Sequence, residues 1–167
     1  MSTRIASRLA SVARLLLVCL AACGLPRDAE HTLDRVRGHE LRVGVTDRPP
    51  WVVVRDDRVS GIEPSLVSDL ARELNAHTTF RKGSESELVE ALHRGELDLV
   101  AGGLRDDSPW RAKAALTKPY HTDSTGAKHV LAVRAGENAW LMKVERYLGS
   151  HRPPASSLDG AASGTAR

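Results

Sequence analysis

Gly95-Glu-Leu-Asp-Leu-Val-Ala-Gly-Gly103 carries three structural signals in succession. Gly95 stands where a preceding helix would end in the left-handed conformation, which glycine adopts without steric cost. Leu97-Asp-Leu-Val-Ala101 is a short apolar run bounded by glycines and predicts a buried strand. Gly102-Gly103 then leaves the strand end without side chains. Just upstream, Ser84-Glu-Ser-Glu87 has the spacing of a capping box, in which Ser84 takes the Glu87 N–H and Glu87 reaches back. Leu88, Ala91 and Leu92 form the apolar stripe of the helix it starts. A helix thus feeds a buried strand that ends in glycines.

The same alternation recurs on either side. Leu41-Arg-Val-Gly-Val45 is a short apolar strand, Pro49-Pro50 interrupts the chain, and Trp51-Val-Val-Val54 reads as a second strand. Arg55-Asp-Asp-Arg58 is a turn, and Gly61 closes a hairpin-like region. Pro64 suits the first turn of a helix whose face is Leu66, Val67, Leu70, Ala71 and Leu74. Thr78-Thr-Phe80 is strand-like. Downstream, Ser108-Pro109 restarts a helix with serine as N-cap and proline at the first position. His129-Val-Leu-Ala-Val133 is a further strand. Asn138 is placed to cap a last helix with Trp140, Leu141, Val144 and Leu148 on its apolar face and Gly149 as its stop. Strands alternating with helices predict an α/β fold with a mostly parallel sheet covered on both faces.

The amino terminus reads differently. Arg4 and Arg8 precede an apolar run from Leu9 to Ala22, broken once by Arg14 and too short to span a bilayer as a helix. The pattern is that of an export signal. It ends in Leu20-Ala-Ala-Cys23-Gly24, which resembles the lipobox of bacterial lipoproteins and implies lipidation of Cys23. The expected organisation is a signal peptide over 1–22, a lipidated N-terminus and tether over 23–37, one lobe over 38–149, and a disordered tail over 150–167. The product would be anchored to a membrane through its lipid, facing the periplasm or the cell exterior. The formal net charge of +3 comes from 24 basic and 21 acidic residues. Setting aside Arg4, Arg8 and Arg14 leaves the two signs equal, so nothing points to nucleic acid. His31, His39, His77, His93, His121, His129 and His151 are scattered and read as surface residues. No metal and no cofactor is implied.

With the elements in order, the series of motifs resembles the first lobe of the bacterial extracellular solute-binding proteins of family 3, the type II periplasmic binding fold that serves amino-acid transporters. The carrying residues are Leu41–Val45, Pro49-Pro50-Trp51, Gly61-Ile62-Glu63 with Leu66 and Leu70-Ala71, Gly95–Gly103, Ser108-Pro-Trp-Arg111 and Lys118-Pro-Tyr120. Pro64 and Ser65 depart from the apolar residue and acid usual there. One residue is also inserted before Ser108 and one lost before Pro119. The resemblance implies a single lobe of about five strands, mainly parallel, with His129–Val133 antiparallel, and leaves no residues for the family's second lobe.

Ligands of doubly wound sheets sit beyond the carboxyl ends of the strands. Three segments should meet there. Asp47–Trp51 follows the first strand, with Arg48 where the family often has a stacking tyrosine and Trp51 at its phenylalanine. Gly102-Gly103 would let backbone approach a small molecule. Ser108–Arg111 matches the family's Thr-x-x-Arg, whose arginine clamps a ligand carboxylate. A helix N-terminus and a guanidinium fork suit that role. The candidate ligand set is therefore Asp47, Arg48, Trp51, Gly102, Gly103, Ser108 and Arg111. Each has a plainer reading: Trp51 in the core, the glycines as a tight turn, Arg111 held by Asp106 or Asp107.

The expected function is a lipid-anchored binding module of the ABC-transporter substrate-binding type, taking an amino acid or other small carboxylate. One lobe leaves roughly half of such a ligand in water, where an Arg–carboxylate pair contributes about 1 kcal/mol or less. Binding should be weak alone and stronger where a permease or a second copy supplies the missing wall. The alternative is an interaction or regulatory lipoprotein that uses the lobe as a scaffold. An enzyme is not expected. Arg37–Val43 is similar to the opening of a solute-binding-like domain in some membrane-bound lytic transglycosylases. Yet no Gly-x-Ser-x-Gly is present, no cysteine nucleophile would remain after lipidation, no carboxylate pair has the marks of a catalytic one, and Glu63 and Glu137 read as a turn residue and a helix-start residue.

Overall fold

The computed structural model describes residues 28–151. The expectations for the signal segment 1–22, for Cys23 and for residues 152–167 lie outside the described residues. The elements in chain order are α1 (Thr32–Val36), β1 (Glu40–Val45), β2 (Val53–Arg55), β3 (Arg58–Ser60), α2 (Ile62–Glu73), β4 (His77–Lys82), α3 (Glu85–His93), β5 (Leu99–Arg105), a 3-10 turn (Pro109–Ala112), β6 (Ala114–Leu116), β7 (His121–Thr122), β8 (Lys128–Arg134) and α4 (Asn138–Ser150).

The main sheet has six strands in the order β4-β1-β5-β8-β6, with β7 also on β8. β4, β1 and β5 are parallel, and β8 runs antiparallel to β5, β6 and β7. Five strands therefore point one way and β8 alone is reversed. Of the five expected strands, the one read at Trp51–Val54 lies outside this sheet, and two others join it because Ala114–Leu116 and His121–Thr122 both find backbone partners on β8. β2 and β3 form a separate hairpin around Asp56, which lies at φ 50°.

Alternation along the strands builds two cores. Leu41, Val43, Val45, Leu99, Ala101, Leu131 and Val133 face α1, α2 and α4. Val100, Leu104, Val130 and Ala132 face α3 through Leu88, Val89, Ala91 and Leu92. Gly44 lets α3 pack close, since a Cβ there would stand 2.7 Å from a Leu97 methyl and 3.0 Å from a Leu88 methyl. The capping box of α3 is present: Glu87 N–H donates to Ser84 Oγ at 3.4 Å and Ser84 N–H to Glu87 Oε2 at 2.9 Å. Gly95 ends the helix at φ 75°.

Two stretches differ from expectation. Asp28–Arg37, read as part of a tether, is folded onto the lobe, with Val36 fully buried. Asp28 supplies the reason. Its Oδ2 takes the Leu33 N–H of α1 and its Oδ1 takes the Trp140 N–H of α4, both at 2.8 Å. Glu137 answers by accepting the Glu30 and Thr32 N–H groups at 2.8 and 3.0 Å. Asp28 thus does for α4 what Asn138 was expected to do; Asn138 is the first residue inside the helix. That helix also runs through Gly149 to Ser150, whose Oγ donates to the Arg146 and Tyr147 carbonyls. Asp98 secures the same end of the sheet. Its buried carboxylate takes Arg35 and Arg42, and its carbonyl accepts the Trp140 indole N–H at 2.8 Å.

Candidate functional site

The carboxyl ends of β1 and β5 and the start of α3 border an open depression of about 240 Å³. Its lining includes Arg48, Glu85, Gly103, Leu104, Arg105 and Ser108. Larger hollows lie between α1 and α4, about 860 Å³, and along α3, about 410 Å³. The first touches no strand; the second meets the carboxyl end of the edge strand β4 through Arg81, Lys82 and Gly83, whereas the smaller depression lies between β1 and β5, where the chain order across the sheet reverses and the ligand of such a sheet sits.

Of the seven candidate residues, Arg48, Gly103 and Ser108 line the depression. Asp47 is a structural cap, its Oδ1 accepting the Val54 N–H at 2.9 Å. Arg48 is half exposed and pairs with Glu85 at 2.6 Å. Ser108 Oγ accepts the Trp110 N–H at 3.4 Å. The helix expected from Ser108-Pro109 is a four-residue 3-10 turn, because the chain peels away at Ala114 to pair with β8. So short a turn has little macrodipole to hold a carboxylate. Arg111 donates to the Asp106 carbonyl at 2.6 Å and does not line the depression. The alternative that tied it to Asp106 describes its place, through main chain rather than carboxylate.

Trp51 belongs to the core and not to the cleft face. It is 7% exposed, stacks on His129 with ring centroids 3.7 Å apart, and meets Tyr120 edge-on at 6.2 Å. His129, read as a surface residue, is itself buried and pairs with Asp123 through Nε2 at 3.0 Å. Trp51 and Val52 also precede the strand, which begins at Val53.

Gly102 and Gly103 lie inside β5 rather than after it. The register with β8 shifts between Val100 and Leu104, so the pair forms a bulge. Gly103 adopts φ 63°, and a Cβ on it would stand 2.7 Å from the Trp51 ring and 2.9 Å from Arg48 Cδ. The glycine is needed for the packing of Trp51 and Arg48 over the strand. Both amides point inward to one carboxylate: Gly102 and Gly103 N–H donate to Glu63 Oε2 at 2.7 and 3.0 Å. Tyr120 O–H donates to Glu63 Oε1 at 2.6 Å.

Glu63 is therefore a buried anchor and not a turn residue. It is fully buried at the start of α2. Burial pushes its carboxyl above the ordinary range; the hydrogen bonds from Tyr120, Gly103 and Gly102 and the charge of Arg48 pull the other way. The same burial and the adjacent Glu63 hold the Tyr120 hydroxyl far up, so it stays protonated as a donor. Gly61-Ile62-Glu63 was legible as a motif, but nothing local indicated that its acid reaches across to β5.

Around the depression the charges are matched. Arg48 faces Glu85, and Arg105 faces Asp107 at 3.0 Å. Glu85 Oε2 also accepts the Trp110 indole N–H at 3.1 Å. The arrangement presents both signs of charge and a serine hydroxyl. Among the described residues no group of three or more His, Cys, Asp and Glu could hold a metal ion, and no helix is long and apolar enough to cross a membrane.

The chain resembles known proteins in two respects. Membrane-bound lytic murein transglycosylase F of Vibrio cholerae is 29% identical over 92 residues, covering 54% of this chain and 17% of that protein. The same enzyme of Aeromonas hydrophila is 33% identical over 110 residues, covering 62% and 22%. The chain thus spans about a fifth of the length of these curated relatives. Among solved structures, the arginine-bound form of domain 1 from TmArgBP superposes with a TM-score of 0.63 at 22% identity, over 70% of this chain and 96% of that one. The L-cystine solute receptor of Neisseria gonorrhoeae gives 0.60 at 12% identity, over 71% and 90%. These likenesses establish the lobe. The model of the bacterial extracellular solute-binding proteins, family 3, matches residues 41–152, most of the folded chain, and the protein belongs to that family.

Proposed function

We propose that this lobe is an extracytoplasmic binding module for a small zwitterion of the amino-acid class, received in the depression lined by Arg48, Gly103 and Ser108. The observation that carries the reading is the pairing of opposite charges, Arg48 with Glu85 and Arg105 with Asp107, around a hollow of about 240 Å³ at the strand ends. A zwitterion matches both signs where a simple ion matches one. A similar solved structure, the arginine-bound form of domain 1 from TmArgBP, supports a single lobe as sufficient to hold an amino acid. Much of the ligand would remain in water, so affinity is weak alone and rises where a permease, a second copy or another protein closes the cleft. Lipidation of Cys23 would hold the module at the membrane surface.

Saturation-transfer NMR with a panel of amino acids tests the proposal. Signals from at least one ligand, lost in an Arg48→Ala variant of unchanged stability, are expected. Silence across the panel at millimolar ligand overturns it.

A second reading has its own observation. The Gly102 and Gly103 amides, Arg111 and Arg48 all have partners within the chain. A lobe satisfied in this way suits a scaffold or regulatory module, and the partial match to murein transglycosylases provides a setting for one. The NMR panel separates the two readings.

A further inference from the structure

Three cations lie on or beside the depression, and each is engaged. Arg105 donates to Asp107 two residues away, and Arg111 to the carbonyl of Asp106 five residues away. These are local contacts within one loop. The third is different. Arg48, after β1, donates through Nη2 to Oε1 of Glu85, 37 residues on and the first residue of α3. The other oxygen of the same carboxylate accepts the Trp110 indole N–H from the 3-10 turn. One carboxylate thus bridges the three segments that border the depression. The start of α3 is itself a favourable place for a negative charge.

A ligand carboxylate entering beside Arg48 would need the donors that Glu85 holds. It would exchange one carboxylate for another and gain little.

We propose that Glu85 is the specificity-determining residue of the depression: an internal carboxylate that holds Arg48 and the Trp110 N–H and so excludes ligands whose only charged group is a carboxylate. The inference rests on the reading of the depression as the ligand site. Such a ligand meets no unpaired cation and faces the charge of Glu85. A zwitterion or cationic amino acid brings an ammonium or guanidinium that Glu85 attracts.

The chemistry gives a gain-of-binding test. In Glu85→Ala, Arg48 loses its counter-ion and the Trp110 N–H its acceptor, while the capping box of α3, made by Ser84 and Glu87, is untouched. Acetate is the probe, because it carries one carboxylate and no other charge. Titration followed by the backbone and indole amide spectra should give a dissociation constant for acetate about five- to tenfold lower in Glu85→Ala than in the wild type, as expected for freeing one half-exposed ion pair. Adding Arg48→Ala should abolish the gain. Glu85→Gln, which keeps an acceptor for Trp110, should give a smaller gain and guards against a folding artefact. If the wild type binds an amino acid at the depression while acetate binds wild type and Glu85→Ala equally, the inference fails and the binding proposal stands. If neither protein binds any amino acid or acetate, both fail.

Discussion

Replacing Glu63 by alanine removes the acceptor of three buried donors at once: the Gly102 and Gly103 N–H groups and the Tyr120 hydroxyl. A buried donor left without a partner costs about 1–3 kcal/mol, so the loss should total about 3–6 kcal/mol once some relaxation is allowed. That is a large part of the roughly 5–15 kcal/mol of a typical domain. Urea unfolding followed by tryptophan fluorescence reads it directly, since Trp51 packs against Gly103 and Tyr120. Glutamine tests the cause. Its amide oxygen can take both glycine N–H groups while its NH₂ faces the Tyr120 oxygen and leaves only the Tyr120 O–H without its acceptor, so Glu63→Gln should lose about 1–3 kcal/mol near neutral pH, clearly less than Glu63→Ala. The pH dependence carries a sign. Burial raises the Glu63 pKa in the folded protein, so its contribution is fully present below the unfolded value and is lost as pH rises through the folded one. Wild type should therefore lose stability relative to Glu63→Gln on going from acid upward. An alanine variant as stable as wild type would show that the β5 bulge does not depend on the Glu63 side chain.

Three further outcomes are expected. Asp28→Ala should cost about 2 kcal/mol by urea unfolding, roughly 1 for each helix start it caps, and should lower hydrogen-exchange protection across Thr32–Val36. Glu96, held down to about 2 by Arg94 and Arg81, should titrate near that value by carboxyl NMR, and Arg94→Ala should move its midpoint up; as a depressed carboxyl, it gives up its contribution as pH falls through about 2. Metabolic labelling with an alkynyl fatty acid should mark the full-length protein in a bacterial host and fail to mark Cys23→Ser; equal labelling would sink the lipid-anchor reading.

What was legible in the sequence was local or periodic. The capping box at Ser84, the left-handed Gly95 and the apolar stripes of α2, α3 and α4 depend on near neighbours, and all are present. The motif series from Leu41 to Tyr120 led to the lobe because each element kept its order. The parts that were not legible depend on distant partners. Asp28 caps α4 across 112 residues, and Glu63 reaches Gly102 across 39. Neither spacing leaves a periodic trace. The glycine pair pointed to close approach, and close approach is what the strand has, but by Trp51, Arg48 and the Glu63 carboxylate. Likewise, whether Trp51 faces core or cleft turned on its stacking with His129, which no local pattern encodes.

On the proposed function, ligand enters at the strand ends bordered by Arg48, Glu85, Gly103 and Ser108. Amide chemical-shift mapping tests it most directly, with the ¹⁵N-labelled protein titrated with the amino acid that scores best in the saturation-transfer panel. Shifts are expected at Arg48, Glu85, Gly103 to Ser108 and the Trp110 indole, with the Trp140 indole, bonded to the Asp98 carbonyl at the opposite end of β5, unmoved. Shifts gathered instead in the hollow between α1 and α4, around Leu33 and Met142, would contradict it.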